Sequence, residues 1–455
     1  MDLIFVTFNS EKWIDPCFKS LLELDFPFED LSVIVIDNHS SDKTVMKLES
    51  YKESFSVCKN YRILEENINH GFGKANNIAA QHGNSEIIVF VNIDIEFYQD
   101  TLLILNQEID KSGDDVGIWE MRQFPYEHPK KYDVVTMDTS WASGAAFAIR
   151  RHIYEQVGGF DEIFFMYAED VDLSWRVRGS GYRIKYVPKA AIIHYAYADV
   201  YAIKPLQYYN SIINDLYLRY RYGNVRQMII GNCRVIKHIL QKPLCVGARR
   251  NLIEKYIKHF KNMKLCKLQK QFSKKVAKFI RFNYEYHRIG AFYFHEKLAD
   301  EPKISVVIIN KSKKDISMLL QCLANQTYSH IKWYYSGTLL GFKSRDMVSM
   351  DLDTLIANLN TPYFSLVDEN FLYYADHFET LINYMEHNRK SWGVTSYCNE
   401  SVMQEKLSGA VFCTDKVKRI KQDISLAEIY NKKYENEIAQ KILCINVETR
   451  KVWRH

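Results

Sequence analysis

No Cys-x-x-Cys pair occurs among the nine cysteines of this 455-residue chain, and their number is odd, so neither a disulfide framework nor a structural zinc site is expected. A reducing compartment follows. No uncharged apolar run reaches the roughly 18 to 20 residues that a membrane span requires. The opening MDLIFVTFNS reads as a core strand from its third residue, leaving no room for a signal peptide, so the expected address is the cytoplasm or the inner face of the cell membrane. With 47% apolar and 25% charged residues the composition is globular, which excludes disordered and collagen-like classes. A large net charge is missing too. The total is only +5, yet 15 Lys or Arg against Glu254 alone fall between Cys233 and Arg281, a block of +14 set in a chain that otherwise sums to −9.

At about 150 residues per domain, two or three domains are expected. In the first third, DLIFVTF, LSVIVIDN and EIIVFVNID alternate with helical stretches at Trp13–Leu24 and Lys43–Tyr51. Strands apolar on both faces and separated by helices predict a mainly parallel sheet covered on both sides, an α/β architecture. Such sheets bind ligands beyond the carboxyl ends of their strands. Those ends carry Asn9, Asp37 and Asp94. From about 203 to 294 the pattern becomes helical, with an apolar stripe at Ile253, Ile257, Phe260, Met263, Leu268, Phe272, Val276 and Phe279. Two readings stay open for it: a linker with a solvated lysine face, or an interfacial helix drawn to anionic lipid. Nucleic acid is not expected, because no base-stacking or groove-reading motif accompanies the lysines.

A second sheet pattern begins at KISVVIIN and repeats the first in order. ISVVIINKS matches LIFVTFNSE, TPYFSLVDENFLYYADHFETL matches SEIIVFVNIDIEFYQDTLLIL, and LSGAVFCTDK matches ASGAAFAIRR. This predicts an internal duplication. The expected division is a catalytic domain over 1–202, a basic helical region over 203–300 and a smaller related α/β domain over 301–455.

The first repeat carries chemistry. VIDNHSSD places an acid at a strand end before short polar turn residues, suited to a ribose or base edge, although Asp and Asn favour turns in any case. In ENINHGFGKANN, Gly71 and Gly73 permit close backbone approach and the following helix offers N–H groups to phosphate. Asn76 stands where a dinucleotide fingerprint needs its third glycine, so a dehydrogenase is not expected. VNIDIE presents Asn92, Asp94 and Glu96, oxygen donors suited to Mg²⁺ or Mn²⁺ shared with substrate phosphates. Three acids, Glu169, Asp170 and Asp172, crowd into YAEDVDLSW, either as a helix start or as a site.

Taken in order, VTFN, VIDNHSSD, ENINHGFGKANN, VNID, ASGAAF, GGFDEIFFMYAEDVDLSWR and AIIHY resemble the inverting family-2 glycosyltransferases of the GT-A fold, particularly bacterial rhamnosyltransferase-like members, over residues 3 to 200. The resemblance implies that Thr7, Asn9 and Asp37 contact base and ribose, and that Asn67, Gly73 and Asn76 line the nucleotide-sugar channel. It makes Asp94 the metal ligand, with Asn92 in place of the first acid of the usual signature, and His194 a second ligand. It makes Asp170 the general base and Glu169 a contact to sugar hydroxyls, with Trp141, Ser143 and Gly144 shaping the sugar pocket. Asp172 reads instead as a helix cap or an i+4 partner of Arg176.

The implied activity is divalent-cation-dependent transfer of rhamnose or a hexose from a dTDP- or UDP-linked donor to a glycan or lipid-linked acceptor of surface polysaccharide. In the second repeat Asn370 falls opposite Asp94, Ser336 near the place of Asp37, and Asn436 opposite Asp170, although Asp368 and Glu369 remain nearby. It reads as a degenerate module for acceptor binding, stabilisation or assembly, self-association included. The alternatives are a bifunctional polymerase and a non-catalytic carbohydrate-binding scaffold. An inverting glycoside hydrolase also needs paired carboxylates, but has no use for VIDNHSSD and the glycine loop.

Overall fold

Alternate side chains of a strand face opposite sides of its sheet, and here both sides are apolar. Leu3, Phe5, Val33, Val35, Val89 and Val91 enter one core, while Ile4, Ile34, Ile36, Ile88 and Phe90 enter another. In a computed structural model the described residues are 1–128, 130–195, 204–242, 245–262, 272, 274–280, 284, 301–310, 315–337, 348–349, 359–368, 371–389, 393–395, 410–415 and 442–444. They form two units: residues 1–132 with 137–287, and residues 133–136 with 288–455.

The first unit runs β1 (Asp2–Thr7), α1 (Glu11–Leu22), β2 (Ser32–Asp37), α2 (Thr44–Ser50), β3 (Asn60–Glu65), α3 (Phe72–Ala80), β4 (Ile87–Asn92), β5 (Ile95–Phe97) and α4 (Thr101–Lys111). It continues through β6 (Val116–Phe124), β7 (Asp138–Thr139), β8 (Ala146–Arg150), α5 (Arg151–Gln156), α6 (Glu169–Gly179) and β9 (Arg183–His194). The sheet order is β3-β2-β1-β4-β8-β6-β9-β5, with β7 beside β9. Pairs from β3 to β4 are parallel, and β8 runs antiparallel to both β4 and β6. Helices α1 and α4 supply Ile14, Phe18, Leu21, Leu102 and Leu105 to the first core. Helices α3, α5 and α6 supply Ala75, Ala79, Ile153, Leu173 and Val177 to the second. The strand ends expected to carry function therefore open along one edge, with Thr7 paired to Asp37 in register.

Three helices follow: α7 (Pro205–Tyr222), α8 (Val225–Leu240) and α9 (Ala248–Asn262). Pro205 sits at the start of α7, where its missing N–H costs nothing, and Asn224 caps α8 by accepting from Gln227 N at 3.0 Å. They pack within the first unit. Ile212, Ile213, Leu216 and Leu252 pack with Phe164, Val171 and Trp175 of the first unit. The expected apolar stripe divides: Ile253, Ile257 and Phe260 are exposed, whereas Phe279 meets the edge of Trp175 at 5.5 Å and Phe272 is buried. Met263 and Leu268 lie outside the described residues.

The second unit contains β10 (Ile304–Asn310), α10 (Ser317–Ala324), β11 (Ile331–Gly337), β12 (Val348–Ser349), β13 (Tyr363–Asp368), α11 (His377–His387), β14 (Gly393–Thr395), β15 (Val411–Cys413) and β16 (Ile442–Cys444). Its sheet order, β12-β11-β10-β13-β15-β14-β16, repeats β3-β2-β1-β4-β8-β6-β9 strand for strand. The senses repeat as well. β15 is antiparallel to β13 and β14, and β14 is parallel to β16, as β8 is to β4 and β6, and β6 to β9. Three sequence matches and one shared topology point to the same duplication. Strand β11 closes on Ser336 and Gly337 and β13 on Asp368, while Glu369, Asn370 and Asn436 lie outside the described residues.

Candidate active site

At the ends of β1 and β2, Asp37 accepts from Thr7 Oγ1 at 2.8 Å, Ser40 N at 2.8 Å and Ser40 Oγ at 2.6 Å. Asn9, at φ 48°, donates its N–H to Ser40 Oγ and accepts from Ser41 N, both at 2.8 Å. The two loops are thus laced together, leaving Asp37 one of its roughly four acceptor positions. Asn38 extends the lacing to the glycine loop. Its amide donates to Asn69 Oδ1 and to the Gly71 carbonyl at 3.0 Å each, while its oxygen accepts from His70 N at 2.8 Å.

Gly71 is required by geometry: it has φ +82°, and a Cβ would stand 2.1 Å from the Phe165 carbonyl oxygen. That same oxygen accepts from Phe72 N at 2.8 Å, so the first N–H of α3 is spent on the 160–168 loop rather than held open for phosphate. A Cβ on Gly73 would lie 3.0 Å from Phe160 Cβ and 3.7 Å from Glu169 Cβ. The glycine loop and the acidic motif are therefore neighbours. Two expected residues stand apart from this junction. Asn67 is exposed on its loop, and Asn76 is buried, its amide donating to the Phe72 carbonyl at 3.0 Å within α3.

The acids of YAEDVDLSW separate by environment. Glu169 is 5% exposed, and among the described residues its Oε2 has no hydrogen-bond partner. Burial, reinforced by the charge of Asp170, pushes its carboxyl well above the usual range. Asp170 is half-buried. It accepts from Gly144 N through Oδ2 and from Val171 N through Oδ1, at 2.8 Å each, and burial again raises its carboxyl. Asp172 is fully buried between two cations, Arg176 Nε at 2.8 Å and Arg221 Nη1 at 2.7 Å, and also accepts from the Tyr222 hydroxyl at 2.9 Å. Burial would raise it, but Arg176 and Arg221 hold it below the ordinary value. The i+4 pairing with Arg176 is as expected, whereas Arg221 and Tyr222 arrive from α7.

The turn before these acids is strained, with Tyr167 at φ 74° and Ala168 at φ 69°. Asn214 of α7 secures it by donating to the carbonyls of Met166 at 2.9 Å and Tyr167 at 2.6 Å. Under the WASG loop, buried Lys130 pairs with Glu120, donates to the Trp141 carbonyl at 2.7 Å and lies 4.1 Å from the Trp141 ring centroid. Glu120 also accepts from Ser143 N at 3.0 Å. Trp141, Ser143 and Gly144 are thus pinned from beneath, with Gly144 packed against the Phe72 ring and Asp170. None of Asn38, Asn69, Gln123, Lys130, Glu120 or Asn214 belonged to the expected site. Only Asn38 and Asn69, in turn-rich motifs, carried a local signal.

Asp94 and His194 meet from β4–β5 and β9, with His194 Nε2 3.5 Å from Asp94 Oδ1. His194 Nδ1 bonds Gln123 Oε1 at 2.8 Å, so Nδ1 carries a proton and Nε2 is the nitrogen turned to Asp94. Asn92 Nδ2 lies 3.5 Å from the same nitrogen. Burial would lift Asp94, but the hydrogen bond and charge that His194 offers when both its ring nitrogens are protonated hold it below the usual range; a cation bound at Nε2 would take the place of that proton. An imidazole nitrogen and a carboxylate oxygen, with a second partner orienting the ring, fit a divalent cation. Among the described residues no set of three His, Cys, Asp or Glu would enclose one, so further ligands would come from a bound substrate. Tyr167 links the two acidic centres: burial, Glu169 and Asp94 push its hydroxyl up to about 12.

Glu169 provides a stability test. Its raised folded pKa means the folded state holds a proton the unfolded chain has released, so stability falls as pH climbs from the ordinary carboxylate value toward the folded one. Glu169→Gln is expected to be more stable than the wild type near neutral pH, the gain shrinking toward pH 4. Urea midpoints at several pH values check it, and a variant less stable at neutral pH would contradict the assignment.

The Glycosyl transferase family 2 profile matches residues 2–173. The rhamnosyltransferase WbbL of Escherichia coli (strain K12) is 27% identical over 235 residues, covering 43% of this chain and 84% of that protein. The poly(ribitol-phosphate) beta-N-acetylglucosaminyltransferase TarS of Staphylococcus aureus (strain Mu50 / ATCC 700699) is 32% identical over 120 residues, 26% of this chain and only 20% of its own length. Among solved structures, that of S. aureus TarS aligns with a TM-score of 0.37 and 20% identity, covering 57% of this chain and 43% of that one.

Proposed function

We propose, from the family 2 glycosyltransferase profile matched by residues 2–173, that the protein transfers rhamnose or a hexose from a dTDP- or UDP-linked donor, with inversion, to a glycan or lipid-linked acceptor in surface polysaccharide synthesis. Asp170 carries this reading. It is the acid of its motif that is both reachable and fixed, held by two backbone N–H groups and raised toward the range useful to a base. The acceptor hydroxyl gives its proton to Asp170 as its oxygen bonds the anomeric carbon, while the bond from that carbon to the diphosphate oxygen breaks on the opposite face. Glu169 and the pinned Trp141–Gly144 loop orient the sugar. Asn9 and Asp37 are turned to the nucleoside, with the buried Thr7 holding Asp37 through its hydroxyl, while the space beside Gly73 is taken by Phe160 rather than left to the donor.

Asp94 and His194 would hold Mg²⁺ or Mn²⁺. Such a cation supplies charge neutralisation to a departing diphosphate. The names of the relatives, a rhamnosyltransferase and an N-acetylglucosaminyltransferase, support transfer of a sugar without choosing which. To the second unit we assign no transfer, since β11 ends on Ser336 and Gly337 where β2 ends on Asp37.

A panel of nucleotide sugars with Mn²⁺ or Mg²⁺, scored for nucleoside diphosphate release with and without acceptors, tests the reading. One donor should turn over, and chelation should stop it. Gln123→Leu, which removes the partner of His194 Nδ1, should raise half-saturating Mn²⁺ roughly 10- to 100-fold. Full-length protein that releases nucleotide from no donor would sink the proposal.

A further inference from the structure

Helix α8 buries one face and leaves another bare. Gly231 and Val235 turn toward α7: a Cβ on Gly231 would stand 2.8 Å from Leu216 Cδ1, so the two helices approach closely there. At 100° per residue, Ile229, Cys233, Ile236 and Leu240 lie within about 40° of the direction opposite Gly231, and Val225 flanks them. These side chains are exposed to degrees unusual for their type: Val225 68%, Ile229 58%, Ile236 45% and Leu240 75%. On α9, Ile253, Ile257 and Phe260 form a second exposed apolar row at helical spacing.

Charge says what covers such a face. From Val225 to Asn262 the chain carries nine Lys or Arg against Glu254 alone. Arg226, Lys237, Lys258 and Lys261 are exposed beside the apolar rows. A second copy of this face would bring like charges together, whereas a negatively charged interface accepts both the cations and the apolar side chains. We infer that α8 and α9 form a surface that docks on anionic lipid bilayer, lying in the headgroup region with the apolar rows inserted. The sequence pattern placed the insertion along 253–279. The structure moves its centre to α8, because Phe272 and Phe279 are used in packing. The inference stands apart from the transferase reading, since vesicle binding is measured without turnover.

The test is flotation of the full chain with vesicles of phosphatidylglycerol and phosphatidylcholine, against phosphatidylcholine alone, at low and high salt. Binding to the anionic vesicles should exceed the neutral control at least tenfold and weaken with salt. The pair Ile229→Asp and Ile236→Asp should lower it tenfold or more, with the circular dichroism spectrum and nucleotide-sugar turnover on a soluble acceptor unchanged. Should that pair misfold, Arg226→Gln with Lys237→Gln serves instead and should also reduce binding. Absence of binding to anionic vesicles overturns the inference. So does binding that ignores folded aspartate variants while depending on charge, which would mark a general polyanion site. A wild-type dimer that the aspartate pair dissociates in sedimentation would likewise reassign the face to self-association.

Discussion

Asp170→Asn is expected to lower the rate of sugar transfer by roughly 10²- to 10⁴-fold, the usual worth of a positioned general base. An amide cannot take the proton, yet its oxygen can still accept from Gly144 N–H or Val171 N–H, so the loop geometry should survive. The loss should fall on kcat, while nucleotide binding, built from other loops, stays within a few-fold. In the wild type the active form is the carboxylate, whose folded pKa burial has raised. The rate should therefore decline on acidification at a pH above the ordinary aspartate value. An asparagine variant retaining a third or more of wild-type turnover would place the base elsewhere.

Asp172→Asn should give the largest loss of stability, about 3–5 kcal/mol, the range for breaking a buried ion pair. Its carboxylate is fully buried and answers Arg176, Arg221 and Tyr222 together. An amide leaves two buried guanidinium groups without their shared counter-charge. Because the folded pKa is depressed, this stabilisation is complete above the unfolded aspartate value and is lost as pH falls through the folded one. The gap in urea midpoint between wild type and variant should be flat around neutral pH and close only on strong acidification. Glu169→Gln, three residues away on the same helix, should show a gap of the opposite sign, the variant being the more stable near neutral pH. A neutral-pH gap below about 1 kcal/mol would show that α7 does not depend on this pair.

Much of the site was legible because the motifs are local. Glycines at 71 and 73, an acid closing each of two strands and three acids opening a helix are each contained within a few residues. The duplication was legible for the same reason: strand periodicity repeats along the chain, and the second sheet keeps the first one's order and senses. Less visible were partners from a distance. Gln123 lies 71 residues from His194, and Asn214 lies 47 from Tyr167. No spacing rule connects glutamine on one strand to a histidine on the next, or a helix asparagine to two strained carbonyls.

Periodicity and strand-end chemistry in the sequence by themselves determined an α/β sheet covered on both faces, its repetition, the edge along which the polar strand ends gather and the pairing of Asp172 with Arg176. Only tertiary structure decided which of the crowded acids is fixed yet reachable, for that depends on Gly144 and on burial by α7. It also decided which apolar side chains of the basic helices are left bare. A hydrophobic stripe records that a face avoids water, but only packing fixes which part of it finds a partner within the chain.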